Sequence, residues 1–403
     1  MIDILSPEFA ANPYPFYKEM RDKYPLYLHS LTNSYILSRY EDVEKGFKDP
    51  VFSTANYIWQ LEPVHGKTIL QMDGREHSTH RNLLTPAFRG RDLQEKFVPV
   101  IERNADELIE SMGGQTQVDF VKQFATLFPI SVIVDMLGLP RADIPKFHGW
   151  YTSIMAFLSN LSQDPDVTAH GIKTKTEFEE YMLPVIAARR QKPGDDLLST
   201  MCNAEIDGVR MSDHEIKAFC SLLLTAGGET TDKALASLLL NLMRNPEQMA
   251  MVRKDRSLID KAFAETLRYT PPVHMIMRQT TEDITVSGGV IPKDSTVTCL
   301  IGAANHDERQ FKNPDVFNIM RDDLDTSKAY SGAANHTAFG LGRHFCVGSM
   351  LAKMEVTIAM NKVLDHMDNI KLNATEYPKE EGIFTRAVKT LPIVFKPSVE
   401  AEA

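Results

Sequence analysis

Cysteine is scarce in this chain: four in 403 residues, at positions 202, 220, 299 and 346. So wide a spacing builds no disulfide framework and no C-x-x-C metal pair, and it suits a reducing cytoplasm. Tryptophan is scarcer still, at two. No apolar run approaches the ~18 residues that a membrane-spanning helix needs. The opening residues, Met1 to Glu8, lack the basic and apolar blocks of a signal peptide, so no membrane anchor is expected. No Ser/Gly-rich linker, repeat or low-complexity run divides the sequence. A single domain over residues 1–403 is therefore expected, although length alone suggests two or three. Positive charge is in deficit as well. The net charge of −10 argues against a nucleic-acid partner.

What is present is an ordinary core-forming composition, 43% hydrophobic and 24% charged. Helical periodicity dominates from about residue 76 to 270. Its clearest stretch opens with the capping box Ser212-Asp213-His214-Glu215 and runs to Arg244, where Asn245-Pro246 starts the next helix. Residues 219–226 are apolar on all sides, as in a helix that crosses a core. A short helix is expected at Phe16–Lys23, and paired strands at 26–28 and 34–38. Residues 53–72 lack periodicity and read as a long loop. Further strands are expected at 284–286, 296–300 and 391–394.

The densest chemistry lies at Phe339-Gly340-Leu341-Gly342-Arg343-His344-Phe345-Cys346-Val347-Gly348. A thiolate ligand to iron must be deprotonated, shielded and approached by N–H groups. Three glycines let backbone pass close to a flat ligand. The residues after Cys346 read as a helix, whose N-terminus favours a negative sulfur. A buried structural thiol is the plainer alternative. A zinc site on His336, His344 and Cys346 lacks a fourth ligand. The glycine spacing does not fit G-x-G-x-x-G, which disfavours a dinucleotide.

The ten residues match F-G-x-G-x-H-x-C-x-G and resemble the haem-ligand loop of the cytochrome P450 family. The resemblance implies a mainly α fold with small β-sheets, and haem b (heme, iron protoporphyrin IX) held between the long helix and the Cys346 loop. Cys346 would be the axial ligand, with Phe339, Gly340 and Gly348 in its loop. Other segments follow in the family's order. Ala226-Gly227-Gly228-Glu229-Thr230 resembles the oxygen-activating A-G-x-[DE]-T. There the glycines and a kink would open a groove, Glu229 would relay protons and Thr230 would hydrogen-bond the activated oxygen. Glu265-Thr266-Leu267-Arg268 resembles E-x-x-R, with Arg321 as the second arginine of a core ion-pair network. His77 and Arg81, four apart on a helix, resemble a propionate clamp. Arg278 and His344 would be further propionate contacts, and Ala226 would lie against the haem.

The resemblance thus implies a monooxygenase acting on a small apolar organic substrate by hydroxylation or epoxidation. A haem sensor or electron carrier would keep the Cys346 loop without needing Glu229-Thr230. The chain is too short to hold a fused reductase, so ferredoxin and ferredoxin reductase are the expected electron donors. Arg89, Arg91, Arg343 and Lys353 are the expected docking charges, and a cytoplasmic monomer is expected. Tyr57, Trp59, Met72, Phe157, Leu222, Val273, Met277 and Phe384 are the candidate substrate contacts.

Overall fold

The computed structural model describes residues 2–90, 93–160 and 163–398. Helices dominate and the strands form three small sheets. The chain divides into two compact units. One takes the chain up to Ser53, Ala105–Ala125 and the chain from Thr230 onward; the other takes Thr54–Asn104 and Thr126–Glu229.

The first unit holds every strand described. Strands β1 (Leu26–His29), β2 (Ser34–Leu37), β3 (Phe52–Ser53), β4 (Gln117–Asp119), β5 (Met275–Thr280), β6 (Ile284–Val286), β7 (Gly289–Ile291), β8 (Thr296–Leu300), β9 (Met367–Leu372) and β10 (Pro392–Pro397) appear in that order. The five-stranded sheet runs β1-β2-β8-β5-β3, with β2 parallel to β8 and the other pairs antiparallel. β4-β10-β9 and the β6-β7 hairpin make the other two. The helix Ile259–Tyr269 stops before Pro271-Pro272, because a proline bars its predecessor from helical backbone. Phe9, Tyr17, Ile36, Leu300 and Ala303 pack a fully buried core beside the large sheet.

The second unit is helical. Helices Ile144–Leu158 and Pro165–Gln191 close on a knot of Phe147, Trp150 and Phe178, edge to face at centroid distances of 5.1–6.0 Å. Gly171 permits this approach, since a Cβ there would lie 2.8 Å from the Phe157 ring.

The long helix is Asp213–Arg244, 32 residues or ~48 Å. Its capping box forms: Ser212 N–H donates to Glu215 Oε2 at 2.8 Å, and Ser212 Oγ accepts from Glu215 N–H at 3.3 Å. Asn245 caps the next helix, Pro246–Lys254.

Some expectations need correction. Asn12-Pro13 lies between two helices, the first ending at Ala11 and the second beginning at Tyr14, not Phe16. Residues 53–72 hold two one-turn helices, Tyr57–Gln60 and Glu62–His65. The 76–270 stretch is interrupted by β4, which pairs with β10 far along the chain. No helix among the described residues is long and apolar enough to cross a membrane.

Candidate active site

In the first unit, Gly340 and Gly342 take φ of +67° and +70°, a left-handed conformation that a side chain would strain. A Cβ at Gly342 would also stand 2.9 Å from the Phe47 carbonyl. The two turns fold the loop so that Cys346 N–H donates to the Phe339 carbonyl at 2.9 Å. The Phe339 and Phe345 rings meet edge to face beneath. The following helix, Ser349–His366, is N-capped by Gly348, so Cys346 lies two residues before the cap rather than in the first turn. Gly348 itself has an ordinary φ of −87°, and a Cβ there would sit 4.0 Å from the Cys346 sulfur. Its glycine is not demanded by the backbone.

The four thiols differ. Cys202, Cys220 and Cys299 are buried, and burial raises each, Cys299 to about 12. Cys346 alone is half-buried. His336 is fully buried and its Nε2 lies 2.9 Å from the Ala329 carbonyl. Among the described residues no three His, Cys, Asp or Glu side chains gather as a metal set, so the zinc alternative has no ligand cage.

Nearby on β5, Arg278 is 4% exposed, donates to the Met277 carbonyl at 2.8 Å and lies over the Phe47 ring. His344 closes the short turn Gly342–His344. Val273 bridges Thr385, and His274 N–H donates to the Phe384 carbonyl. The 273–277 and 383–385 segments are thereby neighbours, while the Phe384 side chain packs on the core beside the sheet. Met277 is half-buried.

Glu265, Arg268 and Arg321 meet in this unit. Arg268 gives two bonds of 2.8 Å to the Glu265 carboxylate, and Arg321 Nε lies 2.9 Å from its Oε2. Both Glu265 and Arg268 are fully buried. Arg268 also donates to the Asn305 and Pro314 carbonyls, so the buried guanidinium is well served. Thr231 lies on the same unit's part of the long helix. Its hydroxyl donates to Glu355 Oε2 at 3.3 Å, and burial raises the Glu355 carboxyl to about 8.

In the second unit, His77 and Arg81 stand one turn apart on the helix Gly74–Leu84; His77 is buried and Arg81 half-buried. His80 pairs with Glu215 at 3.0 Å. The long helix is buried without a break from Ile216 to Thr225. Ala226 is then exposed, and Gly227 and Thr230 are partly open. Glu229 remains 7% exposed. The helical assignment runs unbroken through the two glycines. They admit neighbours: a Cβ at Gly227 would stand 3.1 Å from Ile133 Cδ1, and one at Gly228 3.5 Å from Ile130 and Tyr151. Met72 and Leu222 are buried, Tyr57 and Phe157 half-buried, and Trp59 is 58% exposed.

Sequence reading missed His65, Lys217 and Thr225, all buried and polar in this unit. Only the interruption of an apolar run at Lys217 and Thr225 signalled them.

Residues 4–390 match the family described as Cytochrome P450. Pulcherriminic acid synthase of Bacillus subtilis (strain 168) is 41% identical, over 98% of each chain. Cyclomarin C epoxidase of Salinispora arenicola is 31% identical, over 94% of this chain and 95% of its own. Among solved structures, the bacillaene polyketide synthase cytochrome P450 PksS of Bacillus subtilis 168 superposes with a TM-score of 0.88. It is 28% identical and covers 98% of this chain and 100% of its own.

Proposed function

The chain belongs to the cytochrome P450 family, whose members bind haem b through a cysteine thiolate and act as oxygenating oxidoreductases, and from that premise we propose that it inserts one atom of O2 into a small, largely apolar organic molecule. The half-buried thiol of Cys346, set just after two left-handed glycine turns while the other three thiols are buried, carries this reading. The residues fit an iron porphyrin. The half-buried thiol of Cys346 would hold the iron. Arg278 and His344, in the same unit, would supply cationic or N–H donors for propionates.

Haem, when bound, supplies the reduction and splitting of O2, which with two electrons and two protons yields one hydroxylated or epoxidised product and one water. The chain's part is to hold and deliver. Cys346 would hold the iron through an ionised sulfur that supplies electron density. Glu229 passes protons inward, and the Thr230 hydroxyl donates a hydrogen bond where oxygen is bound. Leu222, Ala226 and Thr230 recur every fourth residue along one stripe of the long helix. The small, exposed Ala226 leaves space on that stripe.

Electrons come from separate proteins, a ferredoxin and its reductase. Of the docking charges, Lys353 is matched by Asp260 at 2.7 Å and lies over the Tyr330 ring, which blunts its appeal to an acidic partner. Arg89 is exposed and Arg343 reaches the Pro50 carbonyl; Arg91 lies outside the described residues. The name of the 41%-identical relative makes pulcherriminic acid the first ligand to screen.

Cys346→Ser tests the reading. It should lose the thiolate-type carbon monoxide difference band of the reduced protein, and persistence of that band would refute the ligand assignment. Thr230→Ala should keep haem and fold while product formed per electron pair falls, since one positioned proton donor contributes ~10²-fold. Full coupling in that variant leaves the hydroxyl without a catalytic role.

A further inference from the structure

The turn between β1 and β2, in the first unit, carries a constellation that the reading above does not use. The N-terminal segment docks on this hairpin. The Tyr27 hydroxyl donates to the Ile2 carbonyl at 2.8 Å, and Ile2 and Ile4 are buried. Asp3 is thereby held between two anchored residues. Its Oδ1 accepts from the Leu5 N–H at 2.9 Å and lies 3.1 Å from Nε2 of His29, whose side chain is 3% exposed. On the other side of the ring, Nδ1 lies 2.8 Å from Thr32 Oγ1.

A backbone group settles where the protons are. Thr32 N–H donates to His29 Nδ1 at 3.3 Å. A ring nitrogen that accepts carries no hydrogen. The Thr32 hydroxyl is therefore the donor in its own contact with Nδ1, and the ring's proton sits on Nε2, facing Asp3. The Leu5 N–H and the His29 ring hold the Asp3 carboxyl below its ordinary value, so it meets the ring as an anion. A hydroxyl bonded to a base, with the base oriented by a carboxylate, is the arrangement that activates a nucleophile. Solvent reaches this turn: Thr32 is half-buried, and Ser30, Leu31 and Asn33 beside it are exposed, Leu31 at 71%.

We propose that Thr32 is an acyl-accepting site, with His29 as its general base and Asp3 as the residue that positions the base. The donors are esters and thioesters with good leaving groups. The N–H groups of Thr32 and Asn33 are spent on His29 and the Ser30 carbonyl, so the addition intermediate is steadied by water and a poor leaving group stays attached. In the step, Thr32 Oγ1 bonds to the acyl carbon as its proton passes to His29 Nδ1. The bond to the leaving oxygen or sulfur then breaks, and that atom takes the proton from His29, directly or through water. The products are an acyl ester on Thr32 and a free phenol or thiol. The site stands apart from the monooxygenase reading and does not rest on it.

The test exposes the haem-loaded full chain briefly to 4-nitrophenyl acetate and locates acetyl groups by peptide mass spectrometry. Thr176 and Thr281 are internal controls: both are exposed, and their hydroxyls donate to backbone carbonyls. General-base assistance contributes ~10²-fold or more, so Thr32 should be acetylated faster than either control by at least that factor. Thr32→Ser should keep or raise the rate at this position. His29→Phe should bring it down to the rate of the controls. Asp3→Asn keeps both hydrogen bonds and removes the charge that steadies the imidazolium, so it should slow acetylation by about tenfold or more. Asp3→Glu should recover part of that loss, which a merely structural Asp3 would not predict. The Asp3 pair decides the matter should His29→Phe fail to fold. Acetylation of Thr32 no faster than that of Thr176 and Thr281, or a rate that survives His29→Phe or ignores the charge at position 3, overturns the proposal.

Discussion

Glu265 and Glu355 are the same residue, in the same unit, buried to the same degree: 0% and 2% exposed. Their surroundings set them apart. Glu265 meets two guanidiniums and the Asn318 N–H at 2.8–3.0 Å. Glu355 meets one threonine hydroxyl at 3.3 Å, and burial lifts its carboxyl to about 8. Two guanidiniums and an N–H replace the water lost by Glu265, whereas a single hydroxyl meets Glu355, which keeps its proton. Burial alone decides neither outcome.

The comparison breaks most visibly at Glu265. Glu265→Gln leaves Arg268 and Arg321 without their counter-ion, at a cost of ~3–5 kcal/mol. That is a large share of a domain's ~5–15 kcal/mol, so little soluble haem protein is expected. Normal haem content and melting temperature in this variant would show that the guanidiniums are content with backbone carbonyls.

At Glu355 the effect has the opposite sign and depends on pH. Its folded value of about 8 lies above the ordinary 4.5. The protonated group therefore contributes stability that is fully present below 4.5 and is lost as pH rises toward 8. Glu355→Gln removes that dependence, worth a few kcal/mol at most. Melting temperatures of variant and wild type should nearly coincide at pH 5, with the variant higher at pH 8. A gap that stays constant across the window, or a lower variant at pH 8, contradicts the neutral carboxyl.

Thr231→Val is the smallest change. Its hydroxyl favours the ionised form of Glu355. Without it the carboxyl moves further up, and the alkaline loss of stability shifts to higher pH by the worth of one hydrogen bond, ~1 kcal/mol. An unmoved pH profile would mean that the 3.3 Å contact contributes nothing to the titration.

Much of this was legible in the sequence because it is local. The capping box at Ser212, the proline stop after Tyr269 and the glycine turns before Cys346 each depend on a few consecutive residues. The E-x-x-R spacing put Glu265 and Arg268 on one helix face. What escaped depends on partners far along the chain. Glu355 is neutral because of what surrounds it, and its hydroxyl partner is 124 residues away. His65 looked like one polar residue in a loop, yet its ring partner lies 156 residues on. Gly227 and Gly228 stood out in the sequence, but the tight approach of Ile133 Cδ1, 3.1 Å from where a Gly227 Cβ would stand, is announced by no helical period.

The contrast among the four thiols also has a use at the bench. Cys202, Cys220 and Cys299 are hidden and reluctant to ionise, so an alkylating or disulfide reagent should find Cys346 first. Ligation to iron would protect that sulfur. Reagent uptake by the folded protein thus counts the molecules that lack haem, one equivalent each. The same sulfur, once oxidised past the sulfenic stage, would bar those molecules from reloading.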